Sequence, residues 1–254
     1  MMAFDWRNLW SGQRPLVIAH RGGAALAAEN TAAAFEASAD AGADALETDV
    51  RVSADGAFVC LHDADLRRLC GDPRAVADID LATLRRLVPG LLTLGEAIAA
   101  SARLGILLDI KLLDGKYLPE IVRIVVAGGA IERAILGLRD VGLIAEVRRI
   151  SGDIAILGFL PNPDMAPEAA RLGANWFRFW QSEANEDRLA MARKAGMRVA
   201  VMVGQPRNEP LPEYPPFPVG LVDAEGLARL RLLAPDAILL DDPRLQLSAY
   251  SRDR

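Results

Sequence analysis

Cysteine and histidine are the scarce residues of this chain, two of each in 254. Cys60 lies in the apolar run from Phe58 to Leu61 and Cys70 beside the turn-forming Gly71, Asp72, Pro73, so neither has a zinc-ligand spacing. This excludes a disulfide-stapled scaffold and a cysteine-rich metal site, and predicts two free thiols in a reducing compartment. Long apolar runs are also missing. No uncharged stretch approaches the roughly 18 residues of a membrane span, and Leu16 to Ala19 is too short for a signal-peptide core. The expectation is a cytoplasmic protein without a membrane anchor. Charge of one sign is scarce as well: 29 basic against 34 acidic residues, net −5, without long blocks, argues against a nucleic-acid partner.

What is abundant is hydrophobic content, 52% of residues, enough for a large core in one domain spanning 1–254. Short apolar runs alternate with helical patterns of about ten residues. Pro15 to Ala19 reads as a strand ending at His20, Arg21, Gly22, Gly23, and Asn30 and Thr31 cap a helix running to about Ala41. Ala43 to Val52 is the next strand, and Asp55, Gly56 forms a hairpin signal into Phe58 to Leu61, which delivers His62 and Asp63. Further strands are expected at Ile106 to Lys111, Ala134 to Leu138, Ile154 to Leu160, Asn175 to Trp180, Val199 to Val203 and Ala237 to Leu240, and helices at Leu81 to Leu87, Leu94 to Leu104, Tyr117 to Ala127, Val141 to Ile150, Asp164 to Leu172, Glu186 to Ala195 and Ala224 to Leu233. Counting the hairpin arm with its partner gives eight β/α units, which predicts an α/β fold of the (β/α)8 TIM-barrel type. A doubly wound sheet is the alternative, but the first β/α turn lacks a full G-x-G-x-x-G. The interval from Asp63 to Leu108 leaves room for at most a short insertion between His62 and Asp109. Gln205 to Pro218 packs six prolines into 14 residues and reads as a stiff, non-helical excursion.

In a barrel, residues at the C-terminal ends of strands face one mouth, so His20, Arg21, Glu47, Asp49, His62, Asp109 and Lys111 are expected to converge. On a strand Glu47 and Asp49 project to the same side, as do Asp109 and Lys111. Carboxylates crowded together repel unless a cation joins them or one keeps its proton. Three carboxylates without cysteine suit a hard ion, Mg²⁺ or Ca²⁺, better than structural zinc. Arg21 and Lys111 beside that cradle suit a phosphate, and the two histidines are then free for proton transfer. The purely structural alternative is a layer of ion pairs, Glu47 with Lys111 and Asp49 with Arg51.

The order His20, Arg21, Gly22; Glu29, Asn30, Thr31; Glu47, Thr48, Asp49, Val50; Asp55, Gly56; His62, Asp63; Thr93 to Glu96; Asp109, Ile110, Lys111; Asp241, Asp242, Pro243 resembles the glycerophosphodiester phosphodiesterase family over nearly the whole chain. The resemblance implies a (β/α)8 barrel that cleaves glycerophosphodiesters to glycerol 3-phosphate and an alcohol. It further implies that Glu47, Asp49 and Asp109 hold a divalent metal, that Arg21 and Lys111 contact the phosphate, and that His20 and His62 are the acid–base pair. The assignment adopted is His20 as base and His62 as acid, with water or a neighbouring substrate hydroxyl as the attacking group. Departures from the family are Asp109 in place of glutamate, Ala28 in place of proline, Met202, Val203, Gly204 at the end of strand seven, and Leu240 before Asp241. The strand-seven end and Leu240 point to an altered substrate side, and the proline-rich segment with Trp176, Phe177, Phe179 and Trp180 is expected either to wall the alcohol pocket or to be barrel-to-helix packing beside an inert rim. The competing expectations are a phospholipase D-like activity on lysolipids and a catalytically idle barrel that binds a phosphorylated ligand. Head group and oligomeric state stay open.

Overall fold

A computed structural model describes residues 4–8, 14–204 and 218–251, with side chains up to 247. Most of the proline-rich segment, 205–217, lies outside the described residues. Eleven strands are present among them: β1 (Leu16–Ala19), β2 (Ala45–Val52), β3 (Phe58–Cys60), β4 (Asp65–Leu66), β5 (Asp72–Ala75), β6 (Gly105–Ile110), β7 (Ala134–Leu138), β8 (Ala155–Gly158), β9 (Trp176–Trp180), β10 (Arg198–Met202) and β11 (Ala237–Leu240). Eight of them run parallel in the order β1, β11, β10, β9, β8, β7, β6, β2, and β2 pairs back with β1 to close the barrel. β3 pairs antiparallel with β2 through the Asp55–Gly56 turn, where Gly56 takes φ 83°.

The expected helices are present at Ala32–Asp40, Leu81–Leu87, Leu94–Ala100, Leu118–Ala127, Val141–Ile150, Ala166–Arg171, Glu186–Lys194 and Ala224–Leu233. Two capping details differ from expectation. Thr31 alone caps the first helix, accepting from the Ala34 amide, whereas Asn30 turns inward. The helix that starts at Leu94 stops at Ala100 rather than Leu104, because Ala102 enters the left-handed region at φ 50°. The short insertion after His62 consists of the β4–β5 hairpin around the helical turn Arg67–Cys70. Val59, Leu61, Leu66, Val76, Ile79, Leu84 and Leu91 pack into a small core beneath this region.

Strand alternation divides the apolar residues between two layers. Val17, Ile106, Leu108, Leu136, Ile156, Phe177, Phe179, Val199 and Ile238 pack outward under the helices. Ile18, Ala45, Leu107, Ile135, Leu157, Trp176, Ala200 and Leu239 fill the barrel interior. Phe177 and Phe179 therefore belong to the core under the helices, and Trp176 to the barrel floor, so three of the four strand-nine aromatics do not wall a pocket. The floor is sealed by the N-terminal segment. Trp6 is buried edge-on against Trp176 at 5.5 Å, donates to the Arg133 carbonyl at 2.7 Å, and accepts from the Trp176 indole at 3.2 Å. With the N-terminal end of the barrel plugged, polar side chains gather at the other.

Candidate active site

His20 sits in a single 3-10 turn, His20–Gly22, directly after β1. Arg21, Gly22 and Gly23 all take positive φ, at 49°, 76° and 101°. A non-glycine residue in that region costs roughly 1–2 kcal/mol. Here the strained turn aims the Arg21 amide at Glu47 Oε2, 2.6 Å away. A side chain at Gly22 would be strained at its positive φ and would overlap the Phe35 ring unless that ring shifted.

His20 is buried and its Nδ1 lies 2.6 Å from Asp241 Oδ1, at the end of β11. Its Nε2 is 4.0 Å from Glu47 Oε2. Burial opposes protonation of His20, but the Asp241 hydrogen bond and the Glu47 and Asp241 charges outweigh it, so its pKa is raised. His62 follows β3 and is part-exposed, with Nδ1 2.8 Å from Asp63 Oδ1. Burial lowers its pKa despite the attraction of Asp49. The two histidines thus sit in environments that push their proton affinities apart.

Glu47 and Asp49 of β2 and Asp109 of β6 offer oxygens that all lie within 4.8 Å of one another, and all three residues are buried. Asp49 and Asp109 are register partners on adjacent strands, which is why the two carboxylates meet. Burial, then the Asp49 charge, pushes the Glu47 carboxyl up to about 7. Burial would also raise Asp49, but the Lys111 ammonium holds it well below the usual carboxylate range. Asp109 is likewise held low against burial, by Lys111 and Arg139.

Lys111 Nζ lies 2.9 Å from Asp49 Oδ1 and 2.5 Å from Asp109 Oδ2. The alternative ion-pair layer of Glu47 with Lys111 and Asp49 with Arg51 is not what forms. Lys111 bridges the two aspartates instead, and Arg51 donates to the His62 carbonyl at 2.9 and 2.7 Å, fixing the loop that carries that histidine. Arg21 donates to Glu29 at 3.0 Å, and its Nε is buried without a hydrogen bond.

The donor set fits a hard cation. Asp49 Oδ1 is buried and accepts no well-aligned hydrogen bond, although Lys111 is close, so one ligand oxygen is left to serve an ion. The carboxylates are also pre-set: Asn30 donates to Asp49 Oδ2 at 3.0 Å and accepts from Thr48 Oγ1 at 2.7 Å. Asn30 itself takes φ 57° to do so.

The structure thus brings together all seven residues expected at the mouth. Sequence reasoning missed several of their neighbours. Asp241 was visible as a strand-end carboxylate but had no assigned partner. Arg139, just beyond β7, donates to Asp109 at 3.1 and 2.5 Å. Arg68 of the insertion reaches both Glu29 oxygens, at 3.0 and 2.5 Å, and Asp63 at 2.5 Å. Arg178 on β9 shares the inward face with Trp176 and Trp180, a signal that the aromatics around it obscured.

Residues 20–115 match the Glycerophosphoryl diester phosphodiesterase family. The glycerophosphodiester phosphodiesterase of Caldanaerobacter subterraneus subsp. tengcongensis is 38% identical over 78 residues, 31% of this chain and 32% of that protein. The first curated relatives are matched over 31% and 32% of their own length. A Thermotoga maritima glycerophosphodiester phosphodiesterase structure superposes with TM-score 0.75 at 22% identity, covering 94% of this chain and 99% of that one. An Oleispira antarctica phosphodiesterase, solved with the product sn-glycerol-3-phosphate, gives TM-score 0.75 at 21% identity over 94% and 97% of the two chains. These likenesses carry the barrel fold across the whole described chain.

Proposed function

We propose that this chain, which matches the glycerophosphodiester phosphodiesterase family over residues 20–115, is a metal-dependent hydrolase of glycerophosphodiesters, releasing glycerol 3-phosphate and an alcohol. The observation that carries the reading is the meeting of three buried carboxylates, with oxygens within 4.8 Å, between two histidines of opposed proton affinity. The reading covers one domain, 1–254, acting on a small soluble molecule.

Glu47, Asp49 and Asp109 would hold a divalent cation, Mg²⁺ or Ca²⁺. Such an ion supplies neutralisation of charge on the phosphoryl oxygens. Arg21, with its unused Nε, and Lys111, with donors beyond those spent on the aspartates, contact the phosphate. His20 takes the proton of the attacking water or hydroxyl at Nε2, while Asp241 holds Nδ1 and stabilises the imidazolium that forms. His62 hands a proton to the departing alcohol, and because burial lowers its pKa only a minority of the rings carry that proton at neutral pH. Asp63 keeps that ring oriented, and Arg68 anchors Asp63 in turn.

A coupled assay for glycerol 3-phosphate, with glycerophosphoethanolamine as substrate and with or without Mg²⁺ or Ca²⁺, tests the reading. Metal-dependent release that His20→Ala and His62→Ala each cut supports it. Turnover of lysolipid micelles alone would move the assignment to the phospholipase D-like alternative, and binding without turnover under every metal would make the barrel an idle one.

A further inference from the structure

Arg21, Lys111 and Arg139 at the barrel mouth each hold a carboxylate. Arg178 does not. It lies in the middle of β9, is only 4% exposed, and among the described residues its side chain makes no hydrogen bond or ion pair. Its Nε and Nη1 are buried without a partner. Two aromatic faces grip it instead: the guanidinium carbon is 4.2 Å from the Trp180 ring centroid and 4.9 Å from that of Phe159.

A guanidinium stripped of water with unused N–H groups is costly to a fold, and an apolar side chain would fill the same space without that cost. Burial lowers its pKa to about 10, which still leaves it charged at neutral pH. The nearby charges act through space: Arg139 opposes it, while Glu183 and Asp109 favour it without touching it. Arg139 holds Asp109 at 2.5 Å and packs on the same Phe159 ring as Arg178, which ties this guanidinium to the carboxylate cradle. Arg139 lies 5.4 Å from the centroid of that ring, so both guanidiniums lie over one aromatic side chain. Along the sheet, β6, β7, β8 and β9 are successive neighbours, which sets Asp109, Arg139, Phe159 and Arg178 in a row around the barrel, with β10 and β11 between β9 and the strand that carries His20.

We propose that Arg178 receives a carboxylate carried by the ligand beyond its scissile phosphate, so that the site takes phosphodiesters of carboxylate-bearing alcohols, a serine phosphodiester being the simplest. The inference rests on the reading above for where the phosphate sits. Charge selects a carboxylate over a second phosphate. Asp109 already neutralises Arg139, which leaves Arg178 as the cation to be matched, and one carboxylate matches one guanidinium in charge and in planar shape.

O-phosphoserine and phosphoethanolamine differ by one carboxylate and separate this subsite from catalysis. Isothermal titration of the full chain with Mg²⁺ should give about tenfold or more tighter binding of phosphoserine, the scale of a hydrogen bond to a charged group. Arg178→Met should erase that preference, and Arg178→Lys should keep part of it. Equal affinity for the two monoesters, no binding of either, or a preference that survives Arg178→Met overturns the proposal. If Arg178→Met fails to fold, the wild-type comparison and Arg178→Lys still decide. A phosphoserine preference lost in Arg178→Met, in a protein that cleaves neither glycerophosphoserine nor glycerophosphoethanolamine, would sink the hydrolase reading and leave the subsite standing.

Discussion

At the residue scale the site is a set of side chains whose proton affinities are set by their partners. Positioned acid and base catalysis contributes roughly 10² to 10⁴ each, so His20→Ala or His62→Ala should lose about that factor in kcat with an unchanged melting temperature. Asp241 holds His20 Nδ1 at 2.6 Å, and its hydrogen bond and charge raise the histidine's pKa. Asp241→Asn should therefore lower kcat, and the pH–rate limb belonging to His20 should move to lower pH, a shift that a merely structural role would not produce. Glu47 carries a second pH signature. Its folded pKa of about 7 exceeds the unfolded value of 4.5, so the folded state binds the extra proton between those values. By linkage, the Glu47 contribution to stability is full below about 4.5 and is lost as pH rises to about 7, on the order of 3 kcal/mol in all. Without metal, melting temperatures between pH 5 and 8 should show that loss, and Glu47→Gln should remove it.

At the element scale, strands and their ends do the positioning. The register of β2 with β6 opposes Asp49 to Asp109, and a one-residue slip would turn both carboxylates out of the mouth. Gly137 on β7 faces the Phe159 ring, and a methyl group there would overlap it. Gly137→Ala should displace that ring, and with it the aromatic wall against Arg178 and Arg139, which a changed substrate KM would report. The opposite end of the barrel answers to a different residue. Trp6→Ala should cost about 3–5 kcal/mol, as large aromatic truncations in cores do, and lower the melting temperature while KM stays unchanged. The reason is distance: Trp6 seals the floor, whereas the polar residues lie at the mouth.

At the scale of the whole molecule, closing eight strands into a barrel forces groups remote in sequence into one polar mouth with an apolar wall beneath it. A divalent ion joining β2 to β6 there would favour the folded state by mass action, about 2.7 kcal/mol at a hundredfold excess over Kd. Millimolar Mg²⁺ or Ca²⁺ should thus raise the melting temperature, chelator should reverse the rise, and Asp49→Asn should abolish it. Much of this architecture was legible in the chain, because β/α alternation is a local property: Ala134–Leu138, Val141–Ile150, Ala224–Leu233 and Ala237–Leu240 fall at the expected limits. The seven mouth residues were legible for a similar reason: five stand at or just beyond a strand end, and Glu47 and Asp49 share one face of β2. Pairing was not. That Lys111 bridges two aspartates, that Arg51 holds the His62 carbonyl, and that Arg178 has aromatic faces and, among the described residues, no carboxylate depend on side-chain reach across neighbouring strands. Likewise, nothing in the first residues marks Trp6 as the floor of the barrel, since its partners Arg133 and Trp176 lie 127 and 170 positions away. The sequence determined which groups stand at the strand ends, because a period of two fixes the face each residue takes; only the closed barrel decided which of them touch, because that follows from the register of strands that meet late in the chain.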